Sequence, residues 1–295
     1  MFETGPSVSG PACRPPPRNR PVTLLAQYAR NRKIEVSVDP AAEPAGAVDT
    51  RTMTGTVIIT GGSRGIGAAT AVLAARHGWS VCLSYREDAG AAGDVVDRCR
   101  AAGQPAVAVR ADVAEETDIV RLFDTAEAEL GPLRGLVNNA GMVAPKSTVA
   151  DLDAARVRRM FEVNAIGTLL GAREAVRRMG PGGAIVNVSS RAAQLGGPGE
   201  YVDYAAAKAA VDALTVGLAR EVAASGIRVN AVRPGLIETD IHASGGQPDR
   251  VARMSGQVPI GRGGTAAEVA EAIVWLLSPA ASYVTGALLD VSGGR

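Results

Sequence analysis

The segment TVIITGGSRGIGAATAVLAARH, residues 56–77, contains a strand, loop and helix pattern that indicates the fold class of this chain. Its β-branched start predicts a strand at Val57–Thr60, and the alanine-rich end predicts a helix at Ile66–His77. A glycine-rich loop joins the two. A loop of this kind lets the backbone approach a phosphate closely, while the helix presents free N–H groups and the positive end of its dipole.

The spacing of Gly61, Gly65 and Gly67 differs from the standard G-x-G-x-x-G fingerprint. Taken alone, the loop therefore also fits a tight strand-to-helix turn that binds nothing. Its place at the first strand–helix junction of a long alternating array favours nucleotide binding.

Short β-branched runs alternate with longer alanine-rich runs in the rest of the chain. Further strands are predicted at 80–85, 106–110, 135–138, 184–189, 227–232 and 287–291, and further helices at 89–102, 115–130, 152–179, 202–224 and 266–277. Parallel neighbours need crossover helices, and those helices cover both faces of the sheet. The sequence thus predicts an α/β protein with a doubly wound, Rossmann-type, seven-stranded parallel sheet and helices on both faces.

Composition narrows the function classes. The chain has 295 residues, is 46% hydrophobic and carries a formal net charge of +1. That charge gives no electrostatic case for a nucleic-acid or membrane-surface partner. Three cysteines (Cys13, Cys82, Cys99) and two histidines (His77, His242) lack the spacing of metal ligands or of a disulfide framework. We therefore expect no metal site and a reducing, cytoplasmic location.

Residues 1–52 differ in character from residues 53–295. They are rich in proline and arginine and have little apolar periodicity, so we expect a disordered or loosely attached extension ahead of a single catalytic domain. Met53, just before the first strand, is a candidate start of the working protein. Loss of folding or activity on deletion of residues 1–52 would contradict this expectation.

The end of the second predicted strand bears on the choice of nucleotide. In this position NAD binders carry an acid for the adenosine ribose, whereas NADP binders need cations for the extra phosphate. Here the strand ends in Arg86, and Arg64 in the glycine loop adds a second cation. Two planar guanidinium groups can grip a phosphate, so NADP is favoured. If both are ordinary surface arginines, NAD is possible.

Two segments carry hydroxyl and amine groups that suit proton transfer. Ser189 and Ser190 lie at the end of a predicted strand, and Tyr204 and Lys208 are four residues apart in a predicted helix, which places them on one face. An ammonium group beside a phenol favours the phenolate and lowers the phenol pKa. Taken alone, the Tyr–Lys spacing is also common on ordinary amphipathic helices.

The chain resembles the classical short-chain dehydrogenases/reductases over residues 53–295. The resemblance is carried by the glycine loop, Asn138-Asn139-Ala140-Gly141, Asn164, Ser190 and Tyr204-x-x-x-Lys208. It implies a nicotinamide nucleotide cofactor, a small carbonyl or secondary alcohol substrate and a homotetramer. Within the family, the sequence looks most like glucose 1-dehydrogenase-like and 3-oxoacyl-carrier-protein reductase-like members.

The resemblance also implies roles for individual positions. The pyrophosphate and the 2′-phosphate would be lined by Ser63, Arg64 and Ile66, and the adenine would be bordered by Asp112 and Val113. The central strand would be stabilised, and the adenosine-side ribose contacted, by Asn138, Ala140 and Gly141. The nicotinamide would be covered by the segment that contains Pro234, Gly235, Ile237 and Thr239.

By the same resemblance, Tyr204 would be the acid/base and Ser190 would donate a hydrogen bond to the reacting oxygen. Lys208 would bind the nicotinamide ribose hydroxyls and lower the pKa of Tyr204. Asn164 would take part in a water-mediated proton relay to Lys208. Without the resemblance, Asn164 reads as a polar residue at a local helix distortion, because Asn is a poor helix former.

Two departures from the family pattern stand beside the site. Ser190 and Tyr204 are fourteen positions apart, one more than is common, and Arg191 occupies a place that is usually small. Only one of Ser189 and Ser190 can face the site from a strand, and we expect Ser190. Tyr201 is not selected as the acid/base, because no lysine lies four residues after it. Residues 241–258 read as a mobile lid over the substrate.

Three functions fit these observations. An NADP-dependent carbonyl reductase needs the intact serine, tyrosine and lysine that are present. A nucleotide-sensing protein on the same fold would tolerate their loss. An enoyl reductase of the same superfamily usually has a wider spacing between tyrosine and lysine.

Overall fold

The computed structural model describes Met1 and residues 55–295. The expected extension at residues 1–52, apart from Met1, and the candidate start Met53 lie outside the described residues. No helix among the described residues is long and apolar enough to cross a bilayer.

The strands of residues 55–295 form one large and one small sheet. They are β1 Thr56–Ile59, β2 Ser80–Tyr85, β3 Ala106–Arg110, β4 Leu133–Asn138, β5 Ala184–Val188, β6 Arg228–Pro234, β7 Ile237–Glu238, β8 Gly264–Thr265 and β9 Leu288–Val291. Seven of them form a sheet of order β3-β2-β1-β4-β5-β6-β9, and all of its neighbours are parallel. The predicted seven-stranded parallel sheet is confirmed. The two-residue strands β7 and β8, which pair with each other, are too short to leave a sequence signal.

Helices connect these strands. They are α1 Gly65–Arg76, α2 Ala89–Ala101, α3 Glu116–Leu130, α4 Ala154–Phe161, α5 Gly167–Arg178, α6 Ala192–Leu195, α7 Val202–Val222, α8 Ile241–Ser244, α9 Arg250–Met254 and α10 Ala266–Leu277. The five predicted helices other than 152–179 match observed helices within a few residues. Short helices α6, α8 and α9 were not predicted, because one helical turn has no readable apolar period.

The helices cover both faces of the sheet, as predicted. Alternate residues of β1 point to opposite sides. Val57 and Ile59 belong to a core that includes residues of α1, α2 and α10. Ile58 belongs to a second core with residues of α3, α5 and α7. Burial on both faces explains why the strand sequences are continuously apolar.

The strand order reverses between β1 and β4. The chain moves outward from β1 through β2 to β3, returns to β4 on the other side of β1, and then moves outward again. The connections after β1 and after β4 therefore leave in opposite directions and open a crevice at the carboxyl ends of these strands. Ligands of open α/β sheets bind at such a point.

The helix predicted at 152–179 is interrupted by a π turn at Glu162–Ile166, which joins α4 to α5. Asn164 lies in this turn and is fully buried. Its side-chain amide donates to the Met160 carbonyl at 3.0 Å, so a side chain takes over part of the backbone pairing where the helix widens. The helix distortion that Asn164 suggested is present, and π turns are frequent at functional sites.

A buried carboxylate joins α5 to α3. Glu174 is 3% exposed, and its two oxygens accept from the guanidinium groups of Arg173, Arg177 and Arg178. Arg178 also donates to Asp124 and Glu127 of α3. Burial acts to raise the pKa of Glu174, but the hydrogen bonds and charges of Arg178 and Arg173 outweigh it and hold the pKa below its usual range.

We expect Glu174→Gln to lower the free energy of unfolding by about 1–3 kcal/mol at neutral pH, because it leaves a buried, ionically bonded site partly unpaired. Since the folded-state pKa is depressed, the contribution of Glu174 is present above the unfolded pKa and is lost as pH falls through the folded pKa. Urea denaturation should therefore show a difference between wild type and variant that shrinks at acidic pH.

The matched control is Glu116→Gln, which removes an exposed carboxylate that also pairs with Arg173. It should cost no more than about 0.5 kcal/mol. Equal losses for the two variants, or a Glu174→Gln effect that persists in acid, would contradict this role for Glu174.

Candidate active site

One cavity of about 720 Å³ lies at the carboxyl ends of β1, β4, β5 and β6. Most of the residues predicted for a site line it. They are Gly61, Ser63, Arg64, Gly65, Ile66, Arg86, Asp112, Val113, Ala140, Gly141, Ser190, Tyr204, Lys208, Pro234, Gly235, Ile237 and Thr239. Three predicted residues, Gly67, Asn138 and Asn164, lie behind its wall. No group of three or more metal-ligating side chains among the described residues is arranged to hold a metal ion.

The glycine loop is shaped to hold an anion. Gly61 and Gly65 have positive φ angles of 64° and 55°, which favour glycine. A side chain at Gly67 would put its Cβ 2.3 Å from the Gly61 carbonyl oxygen, so Gly67 allows close packing of α1 on the loop rather than contact with a ligand. Arg64 is the N-cap of α1 and gives it no side-chain cap. The free N–H groups of this helix end, beside an arginine, suit a pyrophosphate.

Asn139 holds this loop in place, a role that the sequence analysis did not assign. Its side-chain amide donates to the carbonyls of Thr60 and Gly61 at 2.9 and 3.0 Å. The Thr60 hydroxyl in turn accepts from the N–H groups of Asn139 and Ala140, each at 3.0 Å. The end of β4 is thereby bonded to the end of β1. The sequence signal for this role of Asn139 is its position beside Asn138 in the Asn138-Asn139-Ala140-Gly141 motif.

Asn138 braces the sheet instead of contacting the cavity. Its amide donates to Asn187 Oδ1 on β5 at 2.9 Å and to the Thr168 carbonyl on α5 at 3.2 Å. Asn187 donates onward to the Thr215 hydroxyl on α7 at 2.9 Å. The expected contact of Asn138 with a ribose is therefore not supported by its position, whereas its expected support of the central strand is visible.

Charged groups lie at the end of the cavity formed by β2 and β3. Arg86 is half exposed and hydrogen-bonds Glu87 through Nε at 2.9 Å, and Arg64 is exposed. Asp112 accepts from Arg159 Nη2 at 2.6 Å. Burial acts to raise the pKa of Asp112, but hydrogen bonds from the Ala114 N–H and from Arg159 outweigh it and lower the pKa. Arg159, from α4, also lines the cavity, and no sequence pattern had indicated it.

The two serines after β5 have different surroundings. Ser189 is buried, and its hydroxyl donates to the Lys208 carbonyl at 3.1 Å, which ties α7 to β5. Ser190 faces the cavity and hydrogen-bonds the Tyr204 side chain. Its Oγ also accepts from the Ala192 N–H at 3.1 Å. The geometry thus places Ser190 beside the phenol and gives Ser189 a structural bond.

Tyr204 and Lys208 lie on one face of α7, as their spacing predicts. The Lys208 ammonium donates to the Val188 carbonyl at 2.8 Å and lies 5.8 Å from the centre of the Tyr204 ring. Burial lowers the pKa of Lys208 to about 8, and the Asp212 carboxylate acts in the opposite direction. Burial raises the pKa of Tyr204, which the Ser190 hydrogen bond only partly offsets. The described residues alone therefore do not produce the expected lowering of the Tyr204 pKa.

Asn164 is fixed behind Lys208. Its Oδ1 accepts from the Met142 N–H at 3.1 Å, and its amide donates to the Met142 carbonyl at 3.0 Å. A Cβ on Gly141 would lie 2.9 Å from Asn164 Oδ1 and 3.4 Å from Lys208 Nζ. Glycine at 141 therefore leaves room for both the Asn164 amide and the Lys208 ammonium, which a side chain at this position would crowd.

The segment predicted as a lid contains α8, α9 and a short 3₁₀ turn, and it is bonded to the loop before α7. Gln247 donates to the hydroxyl of the buried Tyr201. Arg250 lies over the Tyr201 ring at 5.1 Å from its centre and pairs with Glu200 at 2.7 Å. His242 shares a hydrogen bond of 2.9 Å with the Ile237 carbonyl, and burial lowers its pKa. The Tyr201 hydroxyl is therefore engaged by the lid segment.

Comparison with known proteins gives consistent matches. The family model described as enoyl-(acyl carrier protein) reductase matches residues 61–295. The chain is 52% identical over 243 residues to the uncharacterized oxidoreductase YgfF of Escherichia coli, covering 81% of this chain and 98% of that protein. It is 46% identical over 239 residues to cis-4-hydroxycyclohexanecarboxylate dehydrogenase of Sinomonas cyclohexanicum, covering 80% and 94%.

Among solved structures, the chain is similar to a short-chain dehydrogenase from Burkholderia cenocepacia in complex with NADP. The TM-score is 0.76 at 33% sequence identity, and the match covers 81% of this chain and 96% of that chain.

We expect Ser190→Ala to lower kcat by about a hundredfold or more, because it removes the cavity-facing hydroxyl beside the phenol, which is the group expected to donate to a substrate oxygen. Ser189→Ala removes only the bond to the Lys208 carbonyl and should cost about 1 kcal/mol of stability with kcat nearly unchanged. Steady-state kinetics and thermal denaturation of the two variants check this. The reverse pattern would move the catalytic assignment to Ser189.

Proposed function

Because the chain belongs to the short-chain dehydrogenase/reductase family, we propose that it transfers a hydride between NADP(H) and a small carbonyl compound or secondary alcohol, with Tyr204 as acid/base. The chain is an oxidoreductase that acts on CH–OH or C=O groups. The observation that carries the proposal is that Ser190, Tyr204 and Lys208 line one cavity with a glycine loop built for an anion.

The nicotinamide nucleotide, when bound, supplies or accepts the hydride, so the protein must orient the carbonyl and move one proton. Since burial raises the pKa of Tyr204, the phenol is protonated at neutral pH and can donate to the developing alkoxide. Ser190 donates a hydrogen bond to the same oxygen. The ammonium of Lys208 stabilises the phenolate that remains.

Further roles are proposed for the residues around this group. Lys208 also binds the nicotinamide ribose hydroxyls, and a water-mediated relay connects it to Asn164. The close approach of Asn164 Oδ1 and Lys208 Nζ to Gly141 supports that relay. On the cofactor side, Ser63 and Ile66 would contact the pyrophosphate, and Asp112 and Val113 would border the adenine. The ribose would lie beside Ala140 and Gly141, and the nicotinamide would be covered by Pro234, Gly235, Ile237 and Thr239.

The preference for NADP(H) is attributed to Arg64 and Arg86. Both line the cavity near the end of β2, where the adenosine ribose of such nucleotides lies. Arg64 is exposed at the start of α1. Arg86 shares its guanidinium with the exposed Glu87, a weak pairing in water. The structural relative that is in complex with NADP supports the same choice.

We also infer a homotetramer in the cytoplasm. Ile166 at the end of the π turn is 45% exposed, Leu169 in α5 is 52% exposed, and Trp275 on α10 is 42% exposed. Apolar side chains in these positions support association with further copies. Cys82 and Cys99 are free and buried, which is consistent with a reducing compartment.

The name of the family model favours one alternative reaction, reduction of the C=C bond of an enoyl thioester. The four-residue Tyr204–Lys208 spacing argues for carbonyl chemistry instead. A panel of ketones, aldehydes, sugars, and oxoacyl and enoyl thioesters, each with NADPH and with NADH, separates the reactions. We expect turnover of carbonyl substrates. Turnover of enoyl thioesters alone would favour the alternative, and tight NADPH binding without any turnover would favour a nucleotide sensor.

We expect Arg64→Ala and Arg86→Ala each to raise the KM for NADPH by about tenfold or more, since each removes a charge-assisted bond to the 2′-phosphate. The KM for NADH should change little. The control is Arg76→Ala, which removes an exposed arginine from the other end of α1. A similar rise for both nucleotides in the Arg64 and Arg86 variants would contradict the assignment.

A further inference from the structure

A third chemistry-bearing residue lies on the face of α7 that carries Tyr204 and Lys208. Asp212 follows Lys208 by four residues, as Lys208 follows Tyr204, so the three side chains are stacked along one helix face. Asp212 is buried, 8% exposed, and does not line the cavity. The proposed reaction does not use this carboxylate. A buried charge of this kind is costly unless it is paired.

Arg233 pairs with Asp212 in an unbalanced way. Its Nε and Nη2 both donate to Oδ2 of Asp212, at 3.0 and 2.8 Å. The other oxygen, Oδ1, is buried and has no hydrogen-bond partner among the described residues. A bidentate pair would satisfy both oxygens with the same two donors. Among the described residues, no donor is bonded to Oδ1, so the negative charge of this oxygen acts on the groups around it.

The position of Arg233 connects this pair to the cavity. Arg233 is the residue before Pro234 and Gly235, which line the cavity after β6. Its Nη1 also lies 3.7 Å from Asp290 Oδ1 on β9. Asp290 Oδ2 accepts from Arg191 Nη1 at 2.8 Å.

The ionic chain therefore runs from α7 through β6 and β9 to Arg191, the residue after Ser190. It thus connects the helix that carries Tyr204 and Lys208, the strand that ends at Pro234, and the segment that follows Ser190. It also gives Arg191 a structural partner at the cavity wall.

We propose that Asp212 and Arg233 are positioning residues: their buried ion pair fixes the Lys208 face of α7 against the Pro234-Gly235 turn and supplies the negative charge that keeps Lys208 protonated. The consequence for catalysis rests on the proposed function, whereas the effect on Lys208 does not.

The surroundings of Lys208 support this assignment. The phenol of Tyr204 lies one turn earlier on α7, and Asp212 lies one turn later. The Lys208 ammonium meets the Val188 carbonyl of β5. Its other neighbours are the neutral groups of Gly141, after β4, and Asn164, in the π turn. On the β6 side, the guanidinium of Arg233 lies behind Asp212. Asp212 is thus the one carboxylate among these neighbours. It is also the group that opposes the effect of burial on the Lys208 pKa.

The test uses the low lysine content of the chain, which has only Lys33, Lys146 and Lys208. Nitrogen NMR of the lysine side chains, with Lys208 assigned by the loss of its signal in Lys208→Arg, follows its titration in the full-length protein without cofactor or substrate. In wild type, Lys208 should titrate at about 8. In Asp212→Asn it should titrate lower by about half a unit to one unit, since a nearby opposite charge is lost. Lys146 should not move.

Kinetics provides the second readout. The alkaline limb of kcat/KM for carbonyl reduction should move to lower pH by the same amount in Asp212→Asn. Arg233→Lys keeps both charges but loses the planar fork, so it should leave the titration of Lys208 in place and lower kcat about threefold to tenfold. The control is Glu174→Gln, a buried carboxylate away from the cavity, which should lower stability and leave both the Lys208 titration and the pH profile unchanged.

An unchanged Lys208 titration in Asp212→Asn would overturn the electrostatic role. An unchanged kcat in Arg233→Lys would overturn the positioning role. If Asp212→Asn does not fold, Asp212→Asn/Arg233→Met removes both charges, a change that buried pairs often tolerate. The Lys208 pKa should then still lie below that of wild type, because the carboxylate that raises it has been removed. Absence of turnover in wild type would instead refute the proposed function, and the NMR result would stand independently.

Discussion

The arrangement of this site depends on a single hydrogen bond, from the Lys208 ammonium to the carbonyl of Val188 at the end of β5. Val188 and Lys208 are both buried, so the carbonyl and the ammonium each satisfy a polar group that would otherwise be costly to bury. The bond fixes α7 against the central sheet. Ser189 strengthens the same junction by donating to the Lys208 carbonyl. Tyr204, one turn earlier, is therefore held above the end of β5 beside Ser190.

Much of the fold could be predicted because strand burial and helix length leave clear sequence patterns. The continuous apolar runs at β1 and β5 predicted a sheet that is buried on both faces, and the glycines after β1 predicted the position of the cavity. The π turn could not be predicted from a period of 3.6, although Asn164 marked its position. Asn138 and Asn139 could not be separated by sequence, since which of two adjacent polar residues faces the cavity depends on where β4 ends. Arg159, Asp212 and Arg233 reach their partners through contacts between distant segments, which single-sequence patterns do not encode.

The electrostatics of the cavity differ between its two ends. Near β2 and the start of α1, exposed arginines and free N–H groups face the solvent-accessible end, where an anionic nucleotide suits them. Around Lys208 the same kind of positive charge is buried, and its pKa falls to about 8 because hydration is lost. One end thus attracts a ligand by charge, while the other holds a buried lysine with a pKa of about 8 beside a phenol that is protonated at neutral pH.

The proposed reaction requires the Tyr204 hydroxyl to transfer the proton. Tyr204→Phe removes that hydroxyl and keeps the ring that packs beside Lys208, and single-turnover oxidation of NADPH with a carbonyl substrate from the panel isolates the chemical step. We expect a rate lower by about a hundredfold to ten-thousandfold, with NADPH binding, measured by fluorescence titration, close to that of wild type. A single-turnover rate near that of wild type would contradict it.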